Sequence, residues 1–174
     1  MHATLTGATL RDANLTDSNL SSADLTNADL RYADLLYANL SYANLTGANM
    51  IDADLTGADL IDTNLLYANL FEADLSGADL TGADLRFADL SDADLSGADL
   101  SGSDYSNVVY YDYSTWTDAY YYTDNEPTWH SGMDAAWRTS EGILALAPTN
   151  AVPEPSTLLL ALLGLALLPR KRRR

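Results

Sequence analysis

The sequence predicts an all-β solenoid, a chain wound into stacked four-sided coils, and three observations lead there. From Leu5 to Leu100 every fifth residue is leucine, with Met50 the one exception. Two residues before each stands alanine, relaxed only to Ser18 and Thr63, and the residue between is Asp or Asn from Asn14 onward. The unit A-(D/N)-L-x-x therefore recurs about twenty-one times, in unbroken register, between Ala3 and Tyr105. A period of five matches neither the 3.6 of a helix nor the 2 of a strand, so no single long helix or strand accommodates it. Glycine is too sparse and aperiodic for collagen. A chain that turns a corner every five residues does satisfy the pattern: leucine and alanine point to a common axis and the other three side chains point out. Four faces close a square, so one coil takes twenty residues. Stacked at the β-strand spacing of about 4.8 Å, roughly five coils make a rod some 25 Å long.

Runs such as Ala78-Asp79-Leu80-Thr81-Gly82 resemble the pentapeptide-repeat proteins. That resemblance covers residues 3–105 and implies a right-handed quadrilateral β-helix with leucine at the centre of each face. An acidic residue in place of Leu55 or Leu75 should unfold such a rod.

Residues twenty apart stack on one another, which maps the surface. Asp52-Ala53-Asp54, Glu72-Ala73-Asp74 and Asp92-Ala93-Asp94 fall on one corner, with alanine inward and the acids outward. Carboxylates about 5 Å apart repel by roughly 1 kcal/mol even in water. Hard oxygens at this density suit a divalent cation such as Ca²⁺, but the sequence matches no EF-hand or Gly-rich calcium repeat. A solvated acidic edge is the simpler reading, and no metal or cofactor is assigned. Arg11 lies under Arg31, in a column continuing to Ile51 and Phe71, and Tyr67 lies under Phe87. Tyr32, Tyr37 and Tyr42 fall on successive faces and form no flat patch.

After Tyr105 the leucine period dissolves. Residues 106–147 hold Trp116, Trp129 and Trp137 and six of the eleven tyrosines. An exposed β-edge invites aggregation, and this aromatic segment reads as a cap folded over the last coil. His130, near Asp124, Glu126 and Asp134, is expected to be structural and not a base or metal ligand. At the other end Met1-His2 leads directly into the repeat, without a charged n-region or apolar h-region. A start lying further upstream is expected, with pairing of the exposed coil to a second chain as the alternative.

Residues 148–155 form a linker ending in Val152-Pro153-Glu154-Pro155, and residues 156–174 hold an apolar run from Leu158 to Leu168 followed by Arg170, Lys171, Arg172, Arg173 and Arg174. The run is eleven residues, a short hydrophobic helix below the roughly 20 residues of an ordinary transmembrane helix. A positive end of this kind stays on the cytoplasmic side. These pieces, in this order, resemble the PEP-CTERM sorting signal of Gram-negative bacteria. The resemblance implies that Val152, Pro153, Glu154 and Pro155 are recognised by an exosortase-type processing protease. It also implies that the apolar run holds the chain in the inner membrane for a time and that the basic cluster stops translocation.

With five of nine basic residues in that cluster, residues 1–169 carry four Lys or Arg against 25 acids, a net −21. A body this acidic repels nucleic acid. The chain has no cysteine, which excludes disulfides, thiolate metal sites and cysteine nucleophiles. No phosphate loop, supported catalytic triad or cofactor fingerprint is present, and paired carboxylates on a convex edge lack the desolvated pocket that acid–base catalysis needs. The sequence therefore predicts a non-enzymatic, exported structural or interaction protein. Its place is the cell envelope or the extracellular matrix, with an extracellular polysaccharide or protein as partner. The alternative is a cytoplasmic DNA-mimicking rod that binds a topoisomerase, as some proteins with this repeat do.

Overall fold

The structure, a computed structural model, describes residues 3–109, 114–122, 127 and 135–146. Twenty parallel β-bridges join successive coils, from Thr4↔Asp24 onward, and the first eighteen link residues twenty apart. A turn every five residues and a stacking interval of twenty make each coil four-sided, as expected.

The five positions of the repeat follow from where the five backbone amides go. In the unit around Leu25, the Leu25 amide donates to Asn44 O of the next coil (2.8 Å) and the Asn27 amide to Thr46 O (2.9 Å). The Asp29 amide donates back to Ala8 O (2.9 Å), and the Ala28 amide closes the corner on Leu25 O (3.0 Å). The fifth, on Thr26, is taken by the Asp24 side chain at 3.1 Å. A buried amide without a partner costs about as much as a lost hydrogen bond. This unit leaves none of its five amides without one.

Every Asp or Asn at the second place of the repeat, from Asn14 to Asp104, caps its corner in this way, through Oδ1 to the amide two residues on. Asp and Asn serve alike because only the oxygen is used. The last position of each unit has positive φ, between 52° and 61° at fifteen non-glycine residues that include Tyr37, Glu72 and Phe87. This is the third residue of a type II-like corner, where glycine is the unstrained choice. Here the ladder on both sides holds bulky residues in that conformation.

The core is a column of buried leucine and alanine from Ala23 to Leu100, with Met50 fully buried in a leucine place. The first coil departs from a uniformly buried leucine axis. Leu5, Leu10, Leu15 and Leu20 are only partly buried, because among the described residues no coil packs against their outer side.

Stacking continues past the last leucine. Asp89 bridges Val109, then Asp94 bridges Thr115 and Asp99 bridges Tyr120, at a spacing of 21. One residue has thus been gained between Val109 and Thr115. Buried Tyr105 and Trp116 take the leucine places and meet edge to face, with ring centroids 5.8 Å apart. Strand β1 (Tyr120–Tyr122) pairs in parallel with β2 (Leu144–Leu146), and the short helix α1 (Ala135–Ser140) lies between them in sequence. No helix among the described residues is long and apolar enough to cross a membrane. His130, Trp129 and the whole 148–174 segment, including the expected hydrophobic helix, lie outside the described residues.

Candidate functional site

The outer surface of the rod is a set of columns, each built from one repeat position in successive coils. The predicted acidic corner separates into two columns with different work. Asp54, Asp74 and Asp94 turn Oδ1 back onto the amides of Thr56, Ser76 and Ser96 at 2.9, 2.9 and 2.8 Å. They are corner caps. Asp52, Glu72 and Asp92 occupy the positive-φ place in the same three coils. There, partial desolvation and then the neighbouring charges of Asp52 and Asp92 push the Glu72 carboxyl above its ordinary value. Among the described residues no group of three or more acidic or histidine side chains stands close enough to hold a metal ion.

Two of the rod's arginines are each held by one carboxylate. Arg31 donates to both Asp29 oxygens, at 2.8 and 2.7 Å. Those bonds hold the Asp29 carboxyl down at about 2. Arg86 does the same to Asp84, at 2.8 and 2.6 Å, and lowers the Asp84 carboxyl. The sequence reading stacked Arg11 under Arg31. The ladder keeps that stacking, with the Asp12 amide on Arg31 O at 3.0 Å, and the Arg11 guanidinium lies over the Tyr32 ring, 5.0 Å from its centre. Asp24 is lowered as well, chiefly by the Thr26 hydroxyl.

Tyr67 and Phe87 stack as expected, with centroids 5.1 Å apart and planes 19° from parallel. Tyr32, Tyr37 and Tyr42 stand exposed on three successive corners of one coil, as separate rings and not a patch. Tyr37 lies across the corner above it, so a Cβ at Gly57 would sit 2.5 Å from the ring. The glycine there is required by that close approach as well as by its φ of 62°. Nothing in the sequence but the twenty-residue offset links these two residues.

The sorting residues Val152, Pro153, Glu154 and Pro155 and the stop cluster Arg170, Lys171, Arg172, Arg173 and Arg174 lie outside the described residues. Their assignment rests on sequence. The continuation of the rod through Trp116 was not recognised from sequence, although Ser114 and Ala119 stand two residues before Trp116 and Tyr121. That small-then-large spacing was the available signal.

Comparison with known proteins agrees on both parts of the chain. A family model for pentapeptide repeats matches eight copies over residues 2–31, 38–77 and 68–104, more than half of the sequence. A model for the PEP-CTERM protein-sorting motif matches residues 151–174. Among solved structures, a pentapeptide repeat protein of the Arabidopsis thaliana thylakoid lumen is 33% identical, with a TM-score of 0.57, over 59% of this chain and 71% of that one. One from the cyanobacterium Cyanothece 51142 is 27% identical, with a TM-score of 0.59, over 66% and 88%. Another from Nostoc PCC 7120 is 26% identical, with a TM-score of 0.53, over 74% and 84%. No curated protein matches the sequence, and none of the matched families is enzymatic. With the period, the four-sided stacking and the family match in agreement, the chain belongs to the pentapeptide-repeat family and carries a PEP-CTERM sorting motif at residues 151–174.

Proposed function

We propose that this protein is an exported, non-catalytic structural or interaction protein: an acidic β-helical rod addressed to the cell envelope or the extracellular matrix. The observation that carries the reading is the sorting motif at residues 151–174 joined to a pentapeptide-repeat body. An exosortase-type protease recognises Val152-Pro153-Glu154-Pro155, the apolar run Leu158–Leu168 anchors the precursor in the inner membrane, and Arg170–Arg174 stop its passage. Residues 106–147 close one end of the rod, a role supported by the pairing of β2 on β1 and by buried Ile143. The partner is an extracellular polysaccharide or protein. Each exposed corner offers it carboxylates, hydroxyls or an aromatic ring; phosphate-rich polymers are repelled by the net charge.

The test is cell fractionation with intact-mass analysis of the protein, expressed from its own locus with the upstream DNA retained. The expected result is a mature species absent from the cytosol and cut near Pro155. A full-length cytosolic species would overturn the reading.

A further inference from the structure

The corner cap uses only the oxygen of an asparagine and leaves its nitrogen over. Four of the capping asparagines stand two residues before a hydroxyl, in Asn14-Leu15-Thr16, Asn19-Leu20-Ser21, Asn39-Leu40-Ser41 and Asn44-Leu45-Thr46. Asn-x-Ser/Thr is the acceptor sequence for N-linked glycans in exported proteins. Asn49, Asn64 and Asn69 fall outside it, because Ile51, Leu66 and Phe71 take the hydroxyl's place.

The folded chain separates these four. A carboxamide nitrogen is a poor nucleophile because its lone pair is delocalised onto the oxygen. Hydrogen bonds donated to that oxygen stabilise the charge it gains as the nitrogen gives up a proton. Asn39 Oδ1 takes two such bonds, from the Ser41 amide at 3.0 Å and the Ser41 hydroxyl at 2.6 Å. Its Nδ2 is open to solvent and has no partner among the described residues. Asn44 Oδ1 takes the same pair from Thr46, at 3.2 and 2.6 Å, but its Nδ2 is spent on Thr26 Oγ1 at 2.9 Å. Asn14 accepts the Thr16 amide alone. Asn19 has the bonds of Asn39 but lies in the first coil. Asn39 is bridged to Asn19 on one side and to Asp59 on the other, within the continuous stack.

From these we infer that Asn39 is a glycan attachment site, presented by the corner in the conformation that activates its carboxamide. The donor is a glycan joined through its anomeric carbon to a polyprenyl diphosphate. The bond from that carbon to the diphosphate oxygen breaks and a bond from the carbon to Nδ2 forms. Nδ2 gives one proton to a base of the transferase, and polyprenyl diphosphate leaves. The product keeps Oδ1, so both Ser41 bonds and the corner survive, and the glycan projects from one side of the rod. The inference rests on the exported reading, since a chain passing through the inner membrane is one that meets a membrane-held donor.

The experiment is peptide mass analysis of the protein expressed from its own locus, beside Asn39→Asp, Ser41→Ala and Ser41→Thr chains. Cleavage before aspartate gives the peptide Asp34–Ile51, and electron-transfer fragmentation places any added mass on one asparagine. The expected result is a glycan mass on Asn39 of the exported species and none on Asn44. Asn39→Asp should lose it while keeping the cap, as Asp59 does in the same column. Ser41→Ala should lose it with Asn39 still in place. Ser41→Thr should keep it, since Thr26 and Thr46 make the same hydroxyl bond in their own units. An exported species cut near Pro155 with Asn39 bare would overturn this inference and leave the export reading standing. A full-length cytosolic chain bare at Asn39 would overturn both. Equal modification of Asn44, or a glycan retained in Ser41→Ala, would show that the corner geometry does not select the site.

Discussion

Asp and Asn at the second place of the repeat act as hydrogen-bond acceptors first and as charges second. Each takes the amide that the coil-to-coil ladder cannot reach, and replacing such a cap costs about 1 kcal/mol. Asp59→Ala should therefore destabilise by about that much, since it orphans the Ile61 amide now held at 3.1 Å. Asp59→Asn keeps the oxygen and should be close to neutral in the same thermal melt. An Asn variant as costly as the Ala variant would mean that charge, not the cap, is what the position supplies. The reason for an Asp/Asn alternation was not readable from the sequence, because a two-residue side-chain turn has no period of its own. The alternation itself was plain.

A single coil cannot bury its own leucines, so the coil and its two neighbours are the smallest stable element. Leu75 is fully buried, and an ionised carboxylate there would stand in an apolar column with no partner. Leu75→Asp should cost more than the roughly 2–5 kcal/mol typical of removing a buried leucine side chain, enough to abolish the cooperative melt. Leu75→Met should cost less than about 1.5 kcal/mol, following the example of Met50, which is buried in the same role. Equal melting of the Asp variant and the parent would refute the leucine column. At this scale the sequence was nearly transparent. Its failures came where the period slips: the one-residue gain before Thr115 hid Trp116 and Tyr121 as successors to leucine.

Over the whole molecule, charge is where folding and pH are linked. Asp24, Asp29 and Asp84 are held below the ordinary carboxylate value, and the Asp29 carboxyl at about 2 is held by its bonds from Arg31. Their ionised forms are favoured by folding, so this stability is present above the usual aspartate value of about 3.9 and is lost as pH falls through the lowered values. The gap in melting temperature between the parent and Arg31→Ala should accordingly be constant near neutrality and close between about pH 4 and pH 2. Glu72 runs the other way. Its raised value means that ionisation opposes folding as pH rises, so Glu72→Gln should melt slightly higher than the parent at pH 7. That gain should vanish below the ordinary glutamate value of about 4.3. A gap that fails to close at low pH would assign the effect to packing.

Periodicity was enough to specify a coil that turns every five residues and its leucine axis, because both depend only on which residues recur at a fixed interval; the twenty-residue stacking expected of a square was fixed by the bridges between coils. The address was equally local, a contiguous string from Val152 to Arg174. The division of the acidic corner into caps and a crowded column, the placement of the Arg11 guanidinium over Tyr32, and the approach of Tyr37 to Gly57 needed the folded chain. Those features depend on the direction of side chains and amides across neighbouring coils, and a linear pattern holds position but not direction.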